Sequence, residues 1–185
     1  HLLHESLNEI LGDHVRQKGS FVSSEYLRFD FSHFSSLSDT EIQRIEDSVN
    51  RKINKSIPLK LHNDISLSKA KNMGAKMLFG EKYLEKVRVV QFATSMELCG
   101  GTHVNNTSEI HNFMIKSESS VASGIRRIEA LTSLEVISYY KTYKKKIDDL
   151  SIKLKSADPI RSVEKLLLNN QKLTKDLENY KRKEE

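Results

Sequence analysis

Beyond Thr132 the apolar residues of this chain fall into heptads, and before it they do not, so any fold must join two segments of different kind. Val136, Tyr140, Tyr143, Ile147, Leu150 and Leu154 recur at spacings of four and three, as do Val163, Leu166, Asn170, Leu173, Leu177 and Tyr180. Such a repeat is the seam of a coiled coil. The two runs are out of phase. Between them "SADP" supplies Asp158 as an N-cap and Pro159 at the first helical turn, so the pattern predicts a helical hairpin or coiled coil over 133–185 rather than one rod. Asn170, at a seam position, is suited to fixing register.

Residues 1–132 mix two periods. "HLLHESLNEIL" is in helical phase from its first residue through Leu3, Leu7, Ile10 and Leu11, so the chain reads as one that begins inside a helix. In "GSFVSSEYLRFDFS", Leu27, Phe29 and Phe31 alternate with Arg28, Asp30 and Ser32, the mark of a half-buried strand. Ser38 starts a second helix, with Glu41 placed to close a capping box and Ile42, Ile45, Val49 and Ile53 on one stripe; Pro58 bounds it. "LKLHNDI", "KVRVVQFA", "NFMIKSES" and "GIRRIEAL" read as further strands, and "LSKAKNM" as a short helix. The expected class is α+β, a two-layer domain over 1–132 with a mixed or antiparallel sheet, followed by the helical segment 133–185.

Charge and cysteine content narrow the setting. The net charge of +5 sits mostly in the tail, where 13 Lys and Arg face 9 Asp and Glu. Excess lysine on helices is most often a solvated face, so this charge is weak evidence for a polyanionic partner. One cysteine cannot form an internal disulfide, no apolar run approaches the ~18 residues of a membrane span, and no signal-like segment opens the chain. A cytoplasmic protein without a membrane partner is the expectation.

The single cysteine stands in "ELCGGTHVNNTSEIH", residues 97–111. Thiolate and imidazole are preferred zinc ligands, and a Cys-x-x-x-His spacing lets Cys99 and His103 reach one ion if the backbone bends sharply, which Gly100 and Gly101 permit. A lone buried cysteine is more often a small hydrophobe, so this segment needs further ligands to count as a metal site. The opening helix offers His1 and His4, one turn apart on a shared face, and either can complete a three-ligand site with an open position. His14, His33 and His62 carry no such pattern and read as ordinary polar residues.

"HLLHESLNEILGDHVRQKGSFVSSEYLRFDFSHF", "CGGTHVNNTSEI" and "SGIRRIEALTS" together resemble the editing domain of the alanyl-tRNA synthetase family, and the likeness spans most of residues 1–132. It implies a zinc site made by a His-x-x-x-His pair on the first helix and a Cys-x-x-x-His pair. Cys99 and His103 match the second pair. His1 matches the second histidine of the helix pair, ahead of His4, and the first would lie four residues upstream, so the domain is expected to be truncated at its N-terminus. The family also implicates a glutamine matching Gln17 in handling the substrate. The tail resembles the start of the family's C-terminal helical region. Where many members carry glycine, this chain has Ser108 and His111. A related editing domain, that of threonyl-tRNA synthetase, has proline before the motif histidine where Thr102 stands here.

The activity implied is zinc-dependent hydrolysis of seryl- or glycyl-tRNA(Ala), giving the free amino acid and intact tRNA. A pocket built for alanine rejects neither the smaller glycine nor a side chain with one added hydroxyl, so a second, hydrolytic site is the chemical solution. Partners implied are the acceptor end of tRNA(Ala) with its mischarged serine or glycine, and self-association through the helical tail. Gln17, a neutral hydrogen-bonding residue just past the first helix, suits recognition of the serine hydroxyl. No ATP-binding motif is visible, so alanine activation is expected elsewhere in such a synthetase. Two other readings stand beside this one: a free-standing editing deacylase of the same superfamily, and a non-catalytic zinc-stabilised RNA-binding module.

Overall fold

The computed structural model describes residues 1–77 and 82–184 of the chain, in two compact units, His1–Val136 and Ile137–Glu185. The first unit is α+β. Helix α1 (Leu2–Leu11) is followed by strands β1 (Gln17–Val22) and β2 (Leu27–Ser32), helix α2 (Asp39–Asn54), β3 (Lys60–Ser66), the short helix α3 (Leu67–Asn72), β4 (Lys86–Phe92) and β5 (Ser95–Leu98). A 3-10 turn (Thr107–Ile110) then leads to β6 (Phe113–Ala122) and β7 (Ile125–Thr132). Two antiparallel sheets result, one in the order β1-β2-β7-β6 and one in the order β3-β4-β5.

Helix α2 forms where the sequence asks for it. The Ser38 side chain accepts from the Glu41 backbone N–H at 3.2 Å, and the Glu41 carboxylate accepts from the Ser38 N–H at 2.8 Å, closing the capping box. Ile45, Val49 and Ile53 are buried on the expected stripe. They join Leu2, Leu3 and Leu7 of α1 and Phe29, Phe31, Ile128, Ala130 and Phe113 of the four-stranded sheet in one core. Burying each of these side chains other than Ala130 contributes roughly 1.5–3 kcal/mol, which is why the α1 leucines suffice to fix that helix. A polar seam reinforces it: Lys52 pairs with Glu9 at 2.7 Å and donates to Ser6 at 3.0 Å, and Ser6 donates to Ser48 at 3.0 Å.

A smaller core of Ala70, Ala75, Val87, Val89 and Leu98 lies between α3 and the three-stranded sheet. Two strands here were not anticipated. β1 is an edge strand whose residues are mostly exposed, so it carries no apolar alternation, and β5 is only four residues long.

In the second unit the helices are α4 (Ser133–Leu154), whose first turn belongs to the first unit through buried Val136, and α5 (Pro159–Glu184). They are separated at the expected break, where Asp158 accepts from the Arg161 N–H at 3.0 Å. The seams themselves are not buried. Tyr140, Tyr143, Ile147, Leu166, Asn170, Leu173, Leu177 and Tyr180 are all exposed, and α4 and α5 do not pack along their lengths as a closed hairpin would.

One strained residue stands out. His111 has φ 62° and ψ −77°, and the Asn112 N–H donates to the Ile110 carbonyl at 2.9 Å, a γ-turn of the costly hand centred on a residue with a Cβ. His111 is exposed. Replacing it with glycine should raise stability by about 0.5–1 kcal/mol, strain relief exceeding the added chain entropy. A urea unfolding curve whose midpoint moves down in His111→Gly would contradict this reading of the turn.

Candidate metal centre

The site assembles from three segments. His1 precedes α1 and is placed by the burial of Leu2 and Leu3 beneath it. Cys99 directly follows β5, and His103 ends the bend that the two glycines allow. Arg88 of β4 shapes that bend. Its guanidinium donates to the carbonyls of Cys99 at 3.0 Å and Gly101 at 2.7 Å, while its own carbonyl accepts from the Cys99 N–H at 3.2 Å. Beyond His103 the chain is tied to the end of α2 by fully buried Thr107. The Thr107 hydroxyl donates to the Lys52 carbonyl at 3.0 Å and accepts from the Ile57 N–H at 2.9 Å.

These constraints bring His1, Cys99 and His103 together, each offering one donor atom with all three within 4.8 Å of one another. The Nε2 atoms of His1 and His103 are 2.9 Å apart. His4 is not in this group: its Nδ1 lies 2.8 Å from Oε1 of Glu97, and its Nε2 is buried with no hydrogen-bond partner. Gln17 is not in it either, its side-chain amide donating to the Ser20 hydroxyl at 2.9 Å. His14 and His33 lie 2.8 Å apart, ring nitrogen to ring nitrogen, and His62 is bonded to Gln91 at 2.8 Å, so none of the three joins the cluster.

Glu97 and Arg88 went unnoticed in the sequence. A glutamate in a strand ordinarily marks a solvated position, yet Glu97 is only 5% exposed. The available signal was its setting in "SMEL", flanked by apolar residues two positions before the cysteine.

The donor set fits zinc. One thiol and two imidazoles are a ligand combination that leaves a tetrahedral ion one open position. A side chain at position 101 would place its Cβ 3.6 Å from the Cys99 sulfur and 3.9 Å from the His103 ring, so glycine there keeps the approach to the donors clear. The electrostatics suit a cation as well. Burial disfavours charge on His1, but its hydrogen bonds with Cys99 and Glu97 and the charge of Glu97 outweigh that and raise its pKa to about 9. Burial likewise opposes ionisation of Glu97, and the hydrogen bonds from His1 and His4 overcome it, holding the carboxyl at about 2. The hydrogen bond with His1 lowers the Cys99 thiol against its burial, while burial, then the charge of His1, lowers His103.

Residues 87–129 match the family described as "Threonyl and Alanyl tRNA synthetase second additional domain". The whole chain is similar to the alanine–tRNA ligase of Christiangramia forsetii, 46% identical over 180 residues that make up 97% of this chain and 21% of that protein. The alanine–tRNA ligase of Flavobacterium psychrophilum is 47% identical over 96% of the chain and 20% of its own length, and that of Bacteroides fragilis 45% over 100% and 21%. The chain thus spans about a fifth of the length of the curated relatives it matches. No helix among the described residues is long and apolar enough to cross a membrane.

The His1–Glu97 pair makes stability depend on pH at both ends. Glu97 is depressed from 4.5, so its contribution is complete above that value and lost as pH falls toward about 2. His1 is raised from 6.5, so its contribution is complete below that value and lost as pH rises through about 9. Metal-free protein should therefore lose stability between pH 6.5 and 9. Saturating zinc, which requires neutral His1, should abolish or reverse that slope. Urea midpoints across this window, with zinc and with chelator, check it; parallel slopes in the two series would count against metal binding through His1.

Proposed function

This chain belongs to the alanyl-tRNA synthetase family, and on that premise we propose that it carries the proofreading site of such an enzyme, hydrolysing Ser-tRNA(Ala) and Gly-tRNA(Ala) in the cytoplasm. The observation that carries the proposal is the convergence of His1, Cys99 and His103 from distant parts of the sequence into a cluster fit for zinc. In the reaction, water adds to the carbonyl carbon of the aminoacyl ester. The bond from that carbon to the ribose oxygen breaks, the ribose hydroxyl recovers a proton, and free amino acid and intact tRNA leave.

His1, Cys99 and His103 would hold the ion. Zinc so bound supplies Lewis acidity and lowers the pKa of water or hydroxyl groups that approach it. The protein's own contribution is positional. Arg88 fixes the Cys99–Gly101 backbone, and the bare α-carbons of Gly100 and Gly101 leave room for the charged 3′ end of the tRNA beside the donors. Sheet register supports a role for Gln17. It pairs with Phe31 across β1 and β2, which places it on the face whose Phe29 ring lies 5.5 Å from that of His4. Gln17 thus shares the sheet face on which α1 docks, and in this reading its amide hydrogen-bonds the serine hydroxyl.

The two substrates serve as internal controls, since glycine offers no hydroxyl. Cys99→Ala should impair deacylation of both, because the metal site weakens whatever the amino acid. Gln17→Ala should slow serine release by about tenfold to a hundredfold, a loss of about 1.4–2.7 kcal/mol of hydrogen bonding in the transition state, and glycine release much less. Deacylation rates on both charged tRNAs measure this. Equal losses in the Gln17 variant would assign it to the shared ester or amino group, and full activity in Cys99→Ala would remove the metal site from the reaction.

A further inference from the structure

Glu97 has no role in the hydrolysis proposed for the cluster, yet its carboxylate is buried beside it and bonded through both oxygens. Its two carboxylate oxygens are divided between two histidines one helical turn apart, Oε2 accepting from His1 Nδ1 at 2.6 Å and Oε1 from His4 Nδ1 at 2.8 Å. Its backbone is held on both sides. Val90 of β4 is its register partner, and on the other edge the Lys76 N–H donates to the Met96 carbonyl at 2.8 Å while the Leu98 N–H donates to the Lys76 carbonyl at 2.9 Å. A neutral imidazole carries one proton, so a ring whose Nδ1 donates to a carboxylate must present Nε2 as a lone pair. For His1 that lone pair points into the cluster, 2.9 Å from Nε2 of His103. For His4 the corresponding nitrogen is buried and unpartnered, and it is not among the converging donor atoms.

We infer that Glu97 is a positioning residue that locks His1 in its metal-binding tautomer and rotamer, with His4 serving as the second anchor of the carboxylate. The inference rests on the metal reading of the cluster. It also explains why the helix offers two histidines and the cluster uses one. The histidine–carboxylate pairing acts as one unit with β5, because Cys99 lies only two residues past Glu97: the short strand supplies the group that aims the imidazole, and the residue that directly follows it supplies the thiol. Partners of this kind typically alter metal affinity 10–100-fold when removed.

The test is Glu97→Gln, which keeps the shape but can accept from only one Nδ1–H while setting an amide N–H against the other ring. Zinc affinity is measured by competition with a chromophoric chelator, and Co(II) is used as a spectroscopic substitute whose thiolate-to-metal band reports the Cys99 bond. Glu97→Gln should bind zinc about 10–100-fold more weakly and shift the Co(II) band, with its far-UV circular dichroism unchanged. His4→Phe, which keeps a ring packed on Phe29 but frees one carboxylate oxygen, should weaken zinc binding less than Glu97→Gln does, and it carries the test alone if Glu97→Gln does not fold. Zinc affinity and Co(II) spectrum unchanged in the folded variants would overturn the inference and leave the metal reading intact. A wild-type protein that takes up neither ion would overturn both.

Discussion

Docking of α1 is the constraint on which the site depends. His1 and the Cys99–His103 segment are about a hundred residues apart in sequence, and nothing in the cysteine loop could bring them together. The apolar face of α1 does, by burying Leu2, Leu3 and Leu7 in the same core that receives Phe29 and Phe31 of β2. Once that face is buried, His1 and His4 project from the side of α1 that faces β5, where the Glu97 carboxylate bonds both rings. Loss of one such leucine would cost about 2–5 kcal/mol of stability and would take the metal site with it.

The second constraint is electrostatic. Glu97, buried in β5, compensates two imidazoles that would otherwise face a desolvated interior, and its ionised state is maintained by them in turn. A buried carboxylate is costly unless fully paired, so this arrangement ties β5 to α1 far more specifically than apolar packing could. Arg88 plays the matching part for the loop, spending its guanidinium on two backbone carbonyls rather than on an acid. The candidate metal cluster is thereby held from both ends by the charged groups of Glu97 and Arg88.

Much of this was legible in the sequence, and what was not has a physical cause. The capping box at Ser38, the stripe through Ile45, Val49 and Ile53, and the alternation in "LRFDFS" are local signals that burial preserves, and each element formed where its pattern lies. β1 escaped notice because an edge strand with one exposed face after another need not alternate, and β5 because four residues carry no period. The cysteine motif pointed to Cys99 and His103. Spacing alone did not separate His1 from His4, since two histidines three residues apart share a face by helical geometry; the family resemblance put His1 first, and the structure agrees in that Nε2 of His1 reaches the cluster, 2.9 Å from Nε2 of His103, whereas Nε2 of His4 is buried without a partner. In the tail, heptads specify helices but not what covers their seams, and α4 and α5 accordingly form with those seams exposed.

The central claim is that one thiol and two imidazoles, delivered by a docked helix and a glycine bend, bind one metal ion. X-ray absorption at the zinc K-edge addresses it most directly, because sulfur and nitrogen scatterers are distinguished by distance and by backscattering phase. Zinc-loaded protein should show one sulfur at ~2.3 Å with the remaining nitrogen or oxygen ligands at ~2.0–2.2 Å, and the sulfur shell should vanish in Cys99→Ala. A coordination shell of nitrogen and oxygen alone in the wild-type protein would contradict the account.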